Sequence, residues 1–298
     1  MATLQDIRRR IRSVRNTGKI TKAMELVAAA RLRRAEERIT QMRDYADRMQ
    51  ELTAGTARAA SSLRGLTLLQ QREPNTVAIV ALTGDRGLAG AFNGQILRRA
   101  FALERSLRSE GQEVRWLAVG RKGRSTLQFR RYSIEQAWMG FTDRPSYHDA
   151  QAVAHKLAEL YQAEEIDRAV VVYNHYVSPL VQRVTEQQVL PISPEVLARE
   201  EEEEVEAREA LLGDFIYEPE PEQILERLLP VYLETEIFRA LLESAASEHG
   251  ARMTAMRNAS KNAAELIDSL TLALNRARQA EITQEILEVV AGADALTA

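Results

Sequence analysis

The first sixty residues carry a long repeat of apolar positions that contains no proline and two glycines, Gly18 and Gly55. Near the start, apolar side chains alternate at intervals of three and four residues, which is the spacing of a coiled-coil seam. These seam positions are Leu4, Ile7, Ile11 and Val14. The spacing resumes at Leu32 after what we interpret as a change of face. We predict one long N-terminal helix over residues 1–61, and a seam that changes face predicts a curved, asymmetric rod.

A second helical repeat begins after Pro219 and Pro221 and continues to about residue 291. Its apolar positions show the same alternation of four and three residues. These positions are Ala263, Ile267, Leu270 and Leu274. Pro230 lacks a backbone N–H, so we expect it to kink or restart the helix. We predict a C-terminal helix over residues 219–291.

The middle of the chain has a different pattern. Three apolar, β-rich runs, at residues 76–84, 113–120 and 168–177, alternate with helical stretches near 92–109 and 146–165. Strand, helix and strand in repetition predict a Rossmann-like parallel α/β domain with right-handed crossovers, over residues 75–195. A further strand is expected in RVTEQQVLPI, before an acidic connecting segment, residues 196–218, that we interpret as solvated surface.

The two terminal helices can bury their seams against each other if they pair antiparallel. The predicted pairs are Leu4 with Leu274, Ile7 with Leu270, Ile11 with Ile267, and Val14 with Ala263 or Ala264. This pairing leaves the chain beyond Ala277 as a single protruding helix. Its apolar residues, Ile282, Ile286 and Val289 among them, then imply an enclosing partner.

Charge is unevenly distributed although the net charge is only -3. Residues 1–38 carry eleven Lys and Arg against four Asp and Glu, whereas residues 200–226 are rich in glutamate. Such polarity indicates different partners for the two regions. No apolar run reaches the roughly 20 residues of a membrane helix, and the N-terminus does not resemble a signal peptide.

Little in the sequence favours catalysis or metal binding. Cysteine is absent, which excludes disulfides and thiolate chemistry, and the four histidines show no metal-binding spacing. The loop TGDRGLAGAFNG follows a strand, but Gly84, Gly87 and Gly90 do not form a phosphate-loop pattern. We therefore interpret the loop as tight turns and predict no metal, no cofactor and no directly bound nucleotide.

Long motifs at both ends carry a family resemblance. KITKAMELVAAARLRRAEERI near the start, and SEHGARMTAMRNASKNAAELI with LALNRARQAEITQEILEVVAGA near the end, resemble the gamma subunit of bacterial F-type ATP synthases. TGDRGLAGAFN and DFIYEPEPE extend the similarity through the middle.

This resemblance implies a non-catalytic central-stalk rotor. The paired helices would form a shaft inside the hexamer of alpha and beta subunits, and the α/β domain would be a foot on the membrane c-subunit ring, beside the epsilon subunit. Rotation of the ring by hydrogen ion transport would then drive ATP synthesis. The expected location is peripheral, on the cytoplasmic side of the plasma membrane or cell inner membrane.

The resemblance also implies roles for particular residues. Those expected to contact the beta subunit are Met24, Arg278, Gln279 and Thr283, and those expected to contact the membrane ring are Phe215, Tyr217 and Glu218. Gln279 and Thr283 lie one helical turn apart and so share a face. Each role has a plainer alternative. Met24 could pack on the companion helix near Met253, and Arg278, Gln279 and Thr283 could simply be a solvated face of the helix. Residues 215–218 could be only a turn.

Two other functions remain open at this point. A basic coiled-coil hairpin beside an α/β domain could bind RNA, although the basic helix lacks aromatic residues for stacking on bases. An enzyme could use the α/β domain to bind a nucleotide, with Asp85 and Arg86 as its candidate charged groups.

Overall fold

The computed structural model describes residues 3–60, 62–63, 65–193 and 218–297. The chain divides into two compact units, which we name the coil unit, Met1–Ala29 with Arg252–Ala298, and the sheet unit, Ala30–Ala251. The predicted acidic segment, residues 196–218, lies outside the described residues except for Glu218.

Two long helices and a five-stranded sheet dominate the described residues. The helices are α1 (Leu4–Ala59), α2 (Phe92–Ser109), α3 (Arg121–Phe129), α4 (Tyr147–Gln162) and α5 (Pro221–Thr297), with a short 3-10 turn at Thr67–Leu69. The strands are β1 (Thr76–Leu82), β2 (Glu113–Val119), β3 (Ile134–Trp138), β4 (Arg168–Tyr176) and β5 (Gln182–Leu190). Helices α1 and α5 each contribute to both units.

The sheet has the strand order β3-β2-β1-β4-β5. Strands β1 to β4 are parallel, which confirms the predicted Rossmann-like α/β domain. Strand β5 pairs antiparallel with β4. The connection between them is only a short turn, and parallel strands would need a crossover of a dozen residues or more.

Both faces of the sheet are covered, which explains the apolar runs in the sequence. Successive side chains of a strand point to opposite faces. Ala78, Val80 and Leu82 of β1 therefore join the core formed with α4 and with residues 229–241 of α5. Val77, Ile79 and Ala81 join the core formed with α2 on the other face. Strand β1 is thus buried on both sides.

Pro230 does not restart the C-terminal helix, contrary to that part of the prediction. It lies inside α5, which is assigned as one helix of 77 residues. Proline removes one backbone hydrogen bond at this point. Leu229 and Leu233 on either side of it are buried in the sheet unit, so apolar packing holds the helix through the missing bond.

In the coil unit, α1 and α5 run antiparallel, as predicted. Thr21 contacts Ser260 and Glu25 contacts Arg257, so the contacts on α5 move backward as those on α1 move forward. Of the predicted seam residues, Ile7, Ile11 and Ala263 are buried, and the others are half-buried. The half-buried ones are Leu4, Val14, Ile267, Leu270 and Leu274.

The predicted register of the coil is wrong by about one turn. Ala263 lies against Gly18, where an added Cβ would stand 3.4 Å from the Ala263 Cβ, and not against Val14. The predicted change of face is also wrong. Helix α1 keeps its seam spacing through Gly18, Thr21, Glu25 and Ala28, and the last three of these are buried. Small and polar side chains at those positions hid the seam from an apolar pattern.

Candidate functional site

Two polar contacts join the helices of the coil unit within the seam. The Thr21 and Ser260 hydroxyl oxygens lie 2.7 Å apart, and Thr21 also donates to the Gly18 carbonyl at 3.1 Å. Because Gly18 has no side chain, α5 can approach α1 closely at Ala263. Gly18 therefore has a packing role in this coil.

Glu25 lies one turn further along α1 and is only 6% exposed. Its carboxylate accepts hydrogen bonds from Lys22 Nζ at 3.0 Å and from Arg257 Nε at 3.1 Å. The bonds from Lys22 and then Arg257, aided by their charges, lower the pKa of Glu25 below its ordinary value, although burial acts in the opposite direction. The residue is consequently an ion at neutral pH, with one cation on each helix.

An open groove between the helices borders this polar segment. Its lining residues are Arg15, Gly18, Lys19 and Lys22 of α1 with Ser260, Ala263, Ala264 and Ile267 of α5. All the charged residues of the groove are cations and all lie on α1. The groove therefore presents a positive side that suits an acidic surface.

Met24 belongs to an apolar stripe on the outside of α1. Ile20 and Val27 are 60% and 55% exposed, and Met24 between them is half-buried. Positions 20, 24 and 27 share one helix face. An exposed apolar stripe of this kind is the composition of a contact surface.

The other three residues expected to contact the beta subunit, near the end of α5, are all exposed. Arg278, Gln279 and Thr283 lie on the helix surface, and the Thr283 hydroxyl donates to the Gln279 carbonyl at 2.9 Å. Large apolar side chains lie among and after them on the same helix and are also exposed. They are Ile282, Ile286, Leu287, Val289 and Val290. The tip is thus a polar patch followed by bare apolar surface, as expected of a helix end that needs a partner.

The three residues expected at the membrane ring are only partly described. Phe215 and Tyr217 lie outside the described residues, and Glu218 is exposed just before α5 begins. The role of these three residues therefore stays a prediction.

A carboxylate of the glycine-rich loop after β1 is hydrogen-bonded to two neighbouring segments. Asp85 accepts hydrogen bonds from the backbone N–H of Arg121 at 3.0 Å, of Gly140 at 2.8 Å and of Thr142 at 3.2 Å. The Thr142 hydroxyl donates to the same carboxylate at 3.0 Å. Arg121 begins α3 and Gly140 and Thr142 follow β3, so Asp85 ties the loop after β1 to the segments after β2 and β3. This geometry favours the structural interpretation of the loop.

Two further properties of the described residues bear on metal binding and on membrane insertion. They contain no group of three or more His, Asp or Glu side chains placed to hold a metal ion. Within the same part of the chain, no helix is both long and apolar enough to cross a bilayer.

Sequence reasoning missed the polar pairs of the seam. Thr21 and Glu25 continue the heptad spacing that leads from Val14 to Leu32, and this signal was present in the sequence. It was missed because only apolar residues were counted as seam positions.

Comparison with known proteins identifies the family. The sequence model of the ATP synthase family matches residues 3–296. The ATP synthase gamma chain of Rubrobacter xylanophilus is 46% identical over 298 residues, covering all of both chains. That of Pelotomaculum thermopropionicum is 43% identical over 296 residues, covering 99% of this chain and 100% of the relative.

Solved structures agree at the level of fold. The central stalk in a cryo-EM structure of Tetrahymena thermophila mitochondrial ATP synthase, central stalk and c-ring, is 26% identical, with a TM-score of 0.59 over 81% of this chain and 99% of that one. A chain of the Euglena gracilis mitochondrial ATP synthase rotor has a TM-score of 0.63 at 18% identity, covering 94% of this chain and 98% of that one, and shows the fold alone.

These matches give no support to the RNA-binding alternative. The structural matches agree with the fold described above. The resemblance seen in the terminal motifs is confirmed over the full length, and this chain belongs to the family of ATP synthase gamma chains.

Proposed function

We infer that this chain is the central-stalk rotor subunit of an ATP synthase, which transmits rotation of an ion-driven membrane ring to a catalytic hexamer of alpha and beta subunits. The observation that carries this inference is identity with gamma chains across the whole chain, coil and sheet units included. The chain itself is non-catalytic in this proposal. The complex performs the synthesis or hydrolysis of ATP.

The coil unit is suited to the role because a pair of helices has no threefold symmetry. A rod of two helices presents different surfaces in different directions, so three surrounding catalytic sites meet different faces at any moment. Rotation then carries each site through each state in turn. This consequence needs only that the rod turns as one body.

Contact with the beta subunit is assigned to the stripe that contains Met24 and to the cationic groove on another face of α1. Apolar contacts along Ile20, Met24 and Val27 are not directional, so they do not favour one rotational angle of the shaft over another. Exposed Lys19 and Lys22 add attraction to an acidic segment without rigid geometry, since exposed ion pairs are weak. Such a surface can slide under load.

Arg278, Gln279 and Thr283 are assigned to a second beta contact, which holds the shaft at defined angles. Their side chains are exposed, and hydrogen bonds are directional, so a partner loop can engage them at one orientation and release them at another. The apolar end of α5 beyond them would turn inside an enclosing apolar sleeve of the hexamer.

The sheet unit is assigned to the membrane side of the complex. Phe215, Tyr217 and Glu218 would meet the polar loops of the c-subunit ring, and the epsilon subunit would bind beside them. The chain would accordingly be a peripheral protein on the cytoplasmic side of the plasma membrane or cell inner membrane.

The test is Met24→Lys in the assembled, membrane-reconstituted complex. A cation placed on this apolar stripe adds an ionic attraction to an acidic partner segment and tightens a contact that has to slide, so ATP made per proton transported should fall, with assembly retained. Met139→Lys is the matched control, because Met139 is an exposed methionine of the sheet unit. Unchanged ATP yield per proton in Met24→Lys would contradict the assigned contact, and failure of the chain to assemble with alpha and beta subunits would contradict the rotor role.

A further inference from the structure

Two successive positions of the coiled-coil seam are polar. Thr21 and Glu25 of α1 are 8% and 6% exposed, and they contact Ser260 and Arg257 of α5. Buried polar or ionic groups generally lower the stability of a coiled coil relative to apolar ones. Their presence at the seam therefore calls for a reason other than stability.

The apolar seam positions do not distinguish one register from the next. Ile7 and Ile11 can be covered by any neighbouring pair from Ile267, Leu270 and Leu274, which recur at seam spacing and have similar sizes. Matching apolar residues alone placed Ala263 opposite Val14, whereas the structure places it opposite Gly18. Repeating seams of this kind need a specific feature to select one register.

The polar positions do distinguish the registers. If α5 moved by one seam position in the direction of the mistaken prediction, Met253 would face Glu25, and the carboxylate would be buried without its cation from α5. If α5 moved the other way, Ile267 would face Gly18, where the helices approach closely around Ala263. Each shift leaves a buried group unpaired or a close contact overfilled.

We propose that Glu25 is a register-specifying residue of the coil unit, whose carboxylate, bridging Lys22 and Arg257, selects the antiparallel pairing in which Gly18 faces Ala263. A slip by one seam position would displace α5 along α1 by about 5 Å. The distance between Met24 on α1 and Gln279 on α5, measured along the coil axis, would then change. That this spacing affects coupling rests on the proposed function, whereas the register itself does not.

The test uses disulfide reporters, because the chain has no cysteine of its own. Thr21→Cys with Ser260→Cys reports the observed register, since the two native hydroxyl oxygens are 2.7 Å apart. Val14→Cys with Ala263→Cys reports the shifted register, since cysteines bond only when their Cα atoms are within about 7 Å. Each pair is oxidised in the purified full-length chain and the disulfide is quantified by mass spectrometry.

The decisive variant is Glu25→Leu with Arg257→Leu, combined with each reporter pair. Replacing a buried ion pair by apolar residues is often tolerated, so the coil should stay helical by circular dichroism. We expect the ratio of shifted to observed disulfide to rise by on the order of tenfold, the scale of coupling between contacting residues. Exchanging the charges, as Glu25→Arg with Arg257→Glu, should return the ratio toward that of the parent chain.

Arg33→Ala with Glu37→Ala is the matched control, because it removes an exposed ion pair that lies within α1 alone. Its ratio should equal that of the parent. An unchanged ratio in the leucine variant would overturn the proposal, and so would a charge exchange that behaves like the leucine variant. Loss of helical signal with an unchanged ratio would assign Glu25 a merely structural role.

The same leucine variant in the reconstituted complex separates the proposal from the proposed function. A changed disulfide ratio with reduced ATP yield per proton supports both. A changed ratio with normal yield supports the register role and contradicts the assigned dependence of coupling on the coil.

Discussion

Asp85→Asn should destabilise the sheet unit, although the sequence offers Asp85 as a candidate charged group of a nucleotide-binding enzyme. Its carboxylate accepts four hydrogen bonds that join three loops at the carboxyl end of the parallel strands. The donors are the backbone N–H groups of Arg121, Gly140 and Thr142 and the Thr142 hydroxyl. An asparagine has one acceptor oxygen, so at least one of these bonds is lost and an amide NH₂ faces a donor.

The expected loss follows from counting these bonds. If the asparagine oxygen takes the position of Oδ2, only the bond from Arg121 is lost, which costs about 1 kcal/mol at a partly exposed site. The three bonds that remain lose their charge assistance, and charged acceptors give roughly twice the strength of neutral ones. We therefore expect the free energy of unfolding to fall by about 2–4 kcal/mol.

Tryptophan fluorescence in urea can measure this change in the sheet unit alone. The chain has two tryptophans, and both lie in the sheet, Trp116 on β2 and Trp138 on β3. The shift in midpoint at constant m-value gives the free-energy difference. Glu113→Gln is the matched control, because it makes the same carboxylate-to-amide change at an exposed residue of β2, and it should stay within about 0.5 kcal/mol of the parent.

An unchanged midpoint for Asp85→Asn would refute the reasoning, because it would mean that the four hydrogen bonds contribute nothing beyond those of an amide. A changed m-value would show altered compactness instead of a lost local contact. Either result would reopen the possibility that the loop after β1 is arranged around a ligand.

Three further predictions concern other parts of the chain. Gly120→Ala should lower the free energy of unfolding by more than about 3 kcal/mol in the same fluorescence assay. Gly120 has φ +92°, and a Cβ there would stand 2.1 Å from the Thr83 carbonyl oxygen. The control is Gly111→Ala, at φ +83° with open space around it, which should cost about 1 kcal/mol. Folding lowers the pKa of Glu25, so the contribution of its carboxylate to stability is present above the ordinary pKa of 4.5 and is lost as the pH falls through the folded pKa. Glu25→Gln should therefore reduce the acid-induced loss of coil helicity, measured by circular dichroism. Calorimetry of the isolated chain with adenine nucleotides should show no binding above the weak, nonspecific range, and micromolar binding would contradict the structural interpretation of the loop.

The strands of the sheet could be predicted where burial dominates the local pattern. The runs at 76–84, 113–120 and 168–177 were found as β1, β2 and β4 with ends shifted by one or two residues. Strand β3 was missed because it is a short edge strand whose side chains are half-buried or exposed. Helix α3 was missed because it has only nine residues, and much of RKGRSTLQF is polar.

The candidate contact residues came from the family motifs and not from periodicity. Nothing in the spacing of residues 18–28 distinguishes Met24 as an outward residue unless the seam is first traced through Thr21 and Glu25. Once that seam is known, Ile20, Met24 and Val27 fall on another face. The hydrophobic pattern failed here because core and contact residues are both apolar, and the true core is partly polar.

The continuous seam changes where the asymmetry of the shaft originates. The sequence suggested a rod made asymmetric by a core that changes face, but the buried positions of α1 follow one heptad frame through that region. Beyond the two-helix cross-section itself, asymmetry then comes from the outer surfaces, where the exposed stripe with Ile20 and Val27 lies on the same helix as the cations Arg15 and Lys19. A regular core with irregular faces separates two requirements. The core keeps the helices in register and stiff, and the faces can differ from one another without weakening it.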